Sequence, residues 1–278
     1  MTRKILYINP IATSGAIGAT ESLEYLASET REDVELWAVN LPRGPLHLRY
    51  RYYQALVLPD LLNLIREAER RAFDAAVIGC FYDTGLQDAR EIARQLVVTA
   101  PCEASTLIAS TLCDRFSILV GCQKATAQIR QNLQHYGMDR RVASFRSLDL
   151  AVREFHQSES QTTQRLRDLA HQAVEVDGAE AIILGCTATY GFWRELQREL
   201  GVPVIDPMIA AFKHAEFAAE LARRYDWAQS KTGAYASPPP AEIDEWRLND
   251  QYDLHRISSW LDGASQARLG SHNVTSTS

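Results

Sequence analysis

Apolar residues fall along the chain in two alternating rhythms. Short runs rich in Ile, Val and Leu predict strands at about 4–9, 34–39, 75–79, 96–99, 116–120, 141–145, 181–185 and 203–205. Between several of them the apolar positions recur every three or four residues, the spacing of a helix with one buried face. That spacing predicts helices from Pro59 to Arg71, with Leu61, Leu62, Ile65 and Ala68 on one face, and from Glu103 to Cys113. Another runs from Lys124 to Tyr136, where Gly137 supplies the stop. A longer helix is expected over about 159–176, and Pro207 suits the first turn of one over about 207–224. Strands separated by helices in this way make parallel sheets with crossover connections, so the fold class is α/β.

One stretch repeats. Phe73-Asp74-Ala75-Ala76-Val77-Ile78-Gly79-Cys80 is echoed by Ala179-Glu180-Ala181-Ile182-Ile183-Leu184-Gly185-Cys186: an acidic residue, an apolar strand, then Gly-Cys. The separation is about the length of one small α/β domain, which points to two similar halves, 1–98 and 99–206, each with a cysteine at the carboxyl end of a strand. Ligands of open α/β sheets bind along that edge. From Ser237-Pro238-Pro239-Pro240 onward the chain turns polar. Within this tail, 227–278, a short helix around Ile243 to Trp260 is expected, and roughly the last ten residues are expected to be disordered.

Composition narrows the function. With 46% hydrophobic and 23% charged residues the chain has the make-up of a globular protein, and no apolar run is long enough to span a bilayer. The apolar part of Met1–Pro10 is too short for a signal peptide and reads as a first strand, so a cytoplasmic enzyme is expected. A net charge of −6 speaks against a nucleic-acid partner or an anionic membrane. The five cysteines, Cys80, Cys102, Cys113, Cys122 and Cys186, are odd in number and widely spread, which fits neither a disulfide framework nor a structural zinc site. No metal and no cofactor is expected.

Cys80 and Cys186 are the candidate catalytic pair. A glycine before each cysteine lets the backbone turn sharply as it leaves the strand. A thiol there, facing the N-terminus of a following helix, is expected to ionise near neutrality. Two thiols across one cleft suit inversion of a carbon stereocentre, one taking a proton from one face and the other returning a proton to the opposite face. An isolated Gly-Cys is more often core packing, but matching positions in matching halves reverse that reading. Cys113 reads as core, and Cys102 and Cys122, at strand ends, lean the same way. His135, His156 and His171 read as surface residues, and His214 as more solvent-facing than cleft-facing.

These motifs resemble the aspartate/glutamate/hydantoin racemase superfamily, in particular its hydantoin and allantoin racemase branch. Ile8-Asn9-Pro10 with Thr13 resembles the family's opening substrate-contacting segment. Gly79-Cys80-Phe81 with Asp83 and Gly85-Leu86, and Leu184-Gly185-Cys186-Thr187, resemble the segments bearing its two catalytic cysteines. Pro101 with Glu103-Ala104 resembles the turn into the second half, and Ser230-Lys231 with Gly233-Ala234-Tyr235-Ala236 and Pro238 resembles the branch's closing signature. The resemblance implies two pseudo-symmetric lobes, each a parallel sheet flanked by helices, with the active site between them. It implies a helix over 207–226 returning to the first lobe, a small-molecule substrate and a homo-oligomer. It also makes Asn9, Thr13, Asp83, Thr187, Gly121 and Cys122 candidate substrate contacts.

Departures concern the substrate. Where the branch carries an acidic stretch before a tyrosine, this chain has Pro45-Leu46-His47-Leu48-Arg49-Tyr50-Arg51, so Arg49 or Arg51 is a candidate for binding a carboxylate. Gly121-Cys122-Gln123 replaces hydroxyl residues, and Tyr82 stands where a small or acidic residue is common. Racemisation or epimerisation of a cyclic ureide or amino-acid derivative is the leading expectation. A maleate-type cis–trans isomerase or a related decarboxylase is the alternative within the superfamily. A catalytically silent ligand-binding relative is the alternative from another class.

Overall fold

The computed structural model describes residues 2–12, 18–264 and 268–269. Two sheets form the core. In the first, β1 (Arg3–Ala12), β2 (Val34–Leu41), β3 (Ala75–Ile78) and β4 (Val97–Thr99) run parallel in the order β4-β3-β1-β2, with β9 (Arg268–Leu269) antiparallel on the outer edge of β2. In the second, β5 (Phe116–Val120), β6 (Val142–Ser147), β7 (Ala181–Leu184) and β8 (Val204–Ile205) run parallel in the order β6-β5-β7-β8. The two chain halves thus build equivalent lobes, as the internal echo requires. Strands β1, β3, β5 and β7 are almost wholly buried, which explains why they read as unbroken apolar runs rather than alternating ones.

Helices cover the sheets. The first sheet is flanked on one side by α2 (Arg51–Arg70) and α3 (Leu86–Ile92), and on the other by α1 (Ala19–Ala27) and α8 (Pro207–Tyr225). The second carries α4 (Pro101–Leu112), α5 (Ala125–His135), α6 (Glu159–Glu175) and α7 (Trp193–Leu200). Helix α8 returns to the first lobe: Met208, Ala211, Phe212, Ala215 and Ala219 pack with Ile5, Tyr7, Val77 and Val97. Its N-cap is Asp206, whose carboxylate accepts from the Met208 and Ile209 amides at 2.9 and 3.1 Å.

Helix α2 differs from expectation. It begins at Arg51, and Pro59 lies inside it rather than at its start. Buried Val57 before the proline and Leu61, Leu64, Ile65 and Ala68 after it keep both parts of the helix against the sheet.

The tail is also more ordered than its polar composition implied. After α9 (Pro240–Glu245) and α10 (Leu248–Gln251), α11 (Leu254–Ala264) docks on α2 and buries Ile257 and Leu261 in the first lobe's core. The Trp260 indole N–H donates to the Asn40 carbonyl at 3.0 Å, and Ser258 Oγ donates to Glu67 at 2.8 Å. The final residues, where disorder was expected, lie outside the described ones.

Candidate active site

The carboxyl ends of β1, β3, β5 and β7 meet at one cavity. Asn9, Pro10 and Ile11 come from β1, and Gly79, Cys80, Phe81 and Tyr82 follow β3. Gly121 and Cys122 follow β5, and Gly185, Cys186, Thr187 and Ala188 follow β7. The outer wall is Leu46, His47, Leu48 and Arg49 from the loop before α2, with Val152 opposite. Cys80 and Cys186 therefore reach the same space from different lobes, and both are half-buried.

The two Gly-Cys turns are built alike. The Gly79 amide donates to the Ile8 carbonyl of β1 at 2.8 Å, and the Gly185 amide donates to the Leu119 carbonyl of β5 at 2.7 Å. Each glycine is required by close packing rather than by an unusual turn. A Cβ on Gly79 would stand 2.5 Å from the ring of buried Tyr7, and one on Gly185 only 2.8 Å from the Leu119 carbonyl oxygen and the Ile118 side chain. Neither is among the residues with positive φ, so the sharp-turn reason expected for these glycines is replaced by a steric one.

The thiols do not have the acidity expected of them. Burial pushes Cys80 up to about 12, outweighing the opposing Tyr82 amide and Thr84 hydroxyl, the latter at 3.9 Å from Sγ. Burial likewise pushes Cys186 up to about 11, against the opposing pull of the Ala188 amide and the Arg49 charge. The expected helix termini are not adjacent: α3 starts only at Leu86, and a single 3₁₀ turn, Thr187–Thr189, follows Cys186. Both thiols thus carry their protons at neutral pH in the free protein.

Most of the candidate substrate contacts line the cavity: Asn9, Thr187, Gly121, Cys122 and Arg49, together with Tyr82. Asn9 is held by its amide, which donates to Ser22 Oγ at 3.0 Å and to the Gly18 carbonyl at 3.2 Å. Thr187 Oγ1 donates across the lobes to the Gly79 carbonyl at 3.2 Å. Arg49 Nη2 donates to the Leu150 carbonyl at 3.1 Å, whereas Arg51 turns outward to Gln131. Thr13 lies outside the described residues.

Asp83 is the exception. Its buried carboxylate accepts from the Cys102 and Glu103 amides at 2.8 and 2.9 Å and from the Tyr136 hydroxyl at 2.8 Å. It therefore closes the N-terminus of α4 instead of facing the cavity, and burial pushes it up to about 7. Cys102 is fully buried beside it and Cys113 ends α4, so both are structural, while Cys122 faces the cavity.

Other parts of the site carried weaker sequence signals. His47, whose pKa is lowered by burial and by Arg49, lies two residues from Arg49 in the same segment. Asp206, announced by the Asp-Pro pair that opens α8, also accepts from Tyr25 at 2.7 Å and from the Gly191 amide at 3.2 Å. His156 is partly exposed, as expected, but it is tied down: its Nε2 meets the Ala188 carbonyl at 2.9 Å and its ring stacks on Phe192. Among the described residues no three His, Cys, Asp or Glu side chains gather as a metal site, and no helix is long and apolar enough to cross a membrane.

Two equivalent lobes with a thiol from each at a shared cavity, and a match of residues 5–215 to the Asp/Glu/hydantoin racemase model, decide the classification. The chain belongs to the Asp/Glu/hydantoin racemase family. It is 35% identical over 240 residues to a hydantoin racemase of Pseudomonas sp. (strain NS671), covering 86% of this chain and 93% of that protein. It is also 35% identical to a hydantoin racemase of Paenarthrobacter aurescens, covering 84% and 97%. The structure of an allantoin racemase from Klebsiella pneumoniae superposes with a TM-score of 0.78 at 31% identity, over 86% of this chain and 94% of that one. The family match ends within α8, so the docked helices α9 to α11 lie beyond it.

Proposed function

We propose that this family member is a cofactor-independent racemase of 5-monosubstituted hydantoins, with Cys80 and Cys186 as the opposed acid and base. The observation that carries the reading is that the two strand-end thiols line one cavity from opposite lobes. In the reacting state one cysteine is a thiolate and the other a thiol. The thiolate takes the proton from C5, and the C–H electron pair moves into the adjacent ring carbonyl to give an enolate. The second thiol delivers its proton to the opposite face, which leaves C5 inverted and the two sulfurs with exchanged protonation states. The ring itself holds the charge, so the chemistry needs no organic electron sink. Arg49, reaching the cavity with its cationic head, and the strand-end amides supply electrostatic support as charge develops.

The wall favours an apolar substituent. Ile11, Leu46, Leu48, Phe81, Ala125, Val152 and Ala188 contribute apolar side chains to it. A ureido side chain, as in allantoin, would have to compete for Asn9, Arg49 and Thr187, which are already bonded within the protein. A diacid would require two cationic clamps, and Arg51 faces away from the cavity. A decarboxylase of this fold needs one thiol, and two are in place. Following the family resemblance, we also expect a cytoplasmic homo-oligomer, which light scattering of the purified protein would test.

The test uses 5-benzylhydantoin as a single enantiomer in D₂O. Optical rotation should decay while deuterium enters C5, and Cys80→Ser and Cys186→Ser should each abolish the decay. Full activity in either variant would overturn the scheme.

A further inference from the structure

Cys186 opens a turn too short to have a helical ladder of its own. The 3₁₀ segment Thr187–Thr189 is one turn long. Within it the Thr189 amide and Thr189 Oγ1 both donate to the Cys186 carbonyl, at 3.0 and 2.6 Å. Thr187 Oγ1 is tied to Gly79 across the cleft. That leaves the Ala188 carbonyl as the handle by which the second lobe can fix the turn. His156 takes it, Nε2 to oxygen at 2.9 Å. A carbonyl only accepts, so this contact requires the tautomer with hydrogen on Nε2. The ring is itself restrained: its centroid lies 4.4 Å from that of Tyr190 and 5.4 Å from that of Phe192, and Glu159 Oε1 lies 3.5 Å from Nδ1.

We propose that His156 is a positioning residue for Cys186, acting through the Ala188 carbonyl to aim the turn that carries the thiol. The inference rests on the two-cysteine reading above. Ala188 supplies two contacts at once: its carbonyl faces His156, and its amide is the backbone group that favours the Cys186 thiolate. Freeing the carbonyl lets the residue rotate and withdraws the amide from sulfur. The Cys80 carbonyl is likewise held by the amide three residues on, Asp83, but its turn is steadied by Thr84 Oγ1 near Sγ and not by His156, so the effect is specific to one thiol.

The test compares His156→Phe, which keeps a stacking ring and loses the donor, with His156→Gln, which keeps an N–H donor. In H156F the kcat should fall about 10- to 100-fold with KM nearly unchanged, as expected for a misplaced reacting group. Iodoacetamide labelling at fixed pH, resolved by peptide mass, should slow at Cys186 and not at Cys80, and H156Q should recover most of both. If H156F does not fold, His156→Ala against H156Q gives the same comparison. Equal slowing of both cysteines, a normal Cys186 rate without the donor, or a glutamine variant as impaired as the phenylalanine one would each overturn the assignment. Retained activity in C186S would overturn the two-cysteine reading, whereas an unaffected H156F beside an inactive C186S would overturn this inference alone.

Discussion

Ionisation of the two thiols is the property on which burial and local dipoles pull in opposite directions, and pH is the perturbation that separates them. With Cys186 at about 11, about one molecule in a thousand carries its thiolate at pH 8; with Cys80 at about 12, about one in ten thousand does. Cys186 should therefore be alkylated faster than Cys80 at the same pH, if access is equal, although the more basic Cys80 thiolate, being the stronger nucleophile, narrows the gap. Both rates should climb about tenfold per pH unit through pH 7–10 without a plateau, and kcat/KM should climb with them. The same shifts make a stability statement. A raised thiol is fully compatible with the fold below its unfolded value of 9.0, and that contribution is lost as pH rises through 11 and 12. Timed iodoacetamide labelling, quenched and read peptide by peptide, measures both rates in one sample. A Cys186 rate that levels off below about pH 8 would show that the strand-end amides outweigh desolvation, and would refute the argument.

Four further outcomes follow from the packing and charges. Gly185→Ala forces a methyl against the Leu119 carbonyl and Ile118, so it should cost about 1–3 kcal/mol in denaturant unfolding and displace Cys186 enough to cut activity. Arg49→Met removes the charge that favours the Cys186 thiolate, and Cys186 alone should label roughly threefold more slowly, the effect of a partly screened charge. Glu67, held at about 2 by Arg70, Arg71 and Ser258, gives stability that is present above about pH 4.5 and lost as pH falls toward 2. Glu67→Gln should remove that acid transition and lower stability at neutral pH by on the order of 3 kcal/mol at most. Deletion of residues 240–278 exposes the partners of Ile257 and Leu261, at most about 3–6 kcal/mol of burial, and should lower Tm while sparing turnover at low temperature, because none of the described cavity residues lies there.

What the sequence discloses and what it conceals divide along one physical line. Strands buried on both faces leave uninterrupted apolar runs, so β3, β5 and β7 could be placed to within a residue and β1 to within three, and the repeated Gly-Cys put both thiols at strand ends. Asp83 misled because its nearness to Cys80 along the chain says nothing of the Cys102 and Glu103 amides that arrive later to claim its carboxylate. Thiol acidity misled for a similar reason: helix dipoles can be guessed from neighbouring residues, whereas desolvation depends on everything folded around the sulfur. The docked tail was partly legible, since Ile257, Trp260 and Leu261 fall at helical spacing on one face, but its polar surroundings hid them. The same division separates chemistry from recognition. The duplicated strand carries its thiol into each lobe, so the acid–base pair is close to symmetric and visible as a repeat. The walls are not duplicated in sequence: Phe81-Tyr82 follow one cysteine and Thr187-Ala188 the other, and of the equivalent β2–α2 and β6–α6 connections the first supplies Leu46 to Arg49 and the second Val152. A racemase must treat both faces of one carbon alike while gripping a substituent from one side only. Repetition can encode the first requirement, and only unrepeated loops can encode the second, which is why the reaction is readable from the chain long before its substrate is.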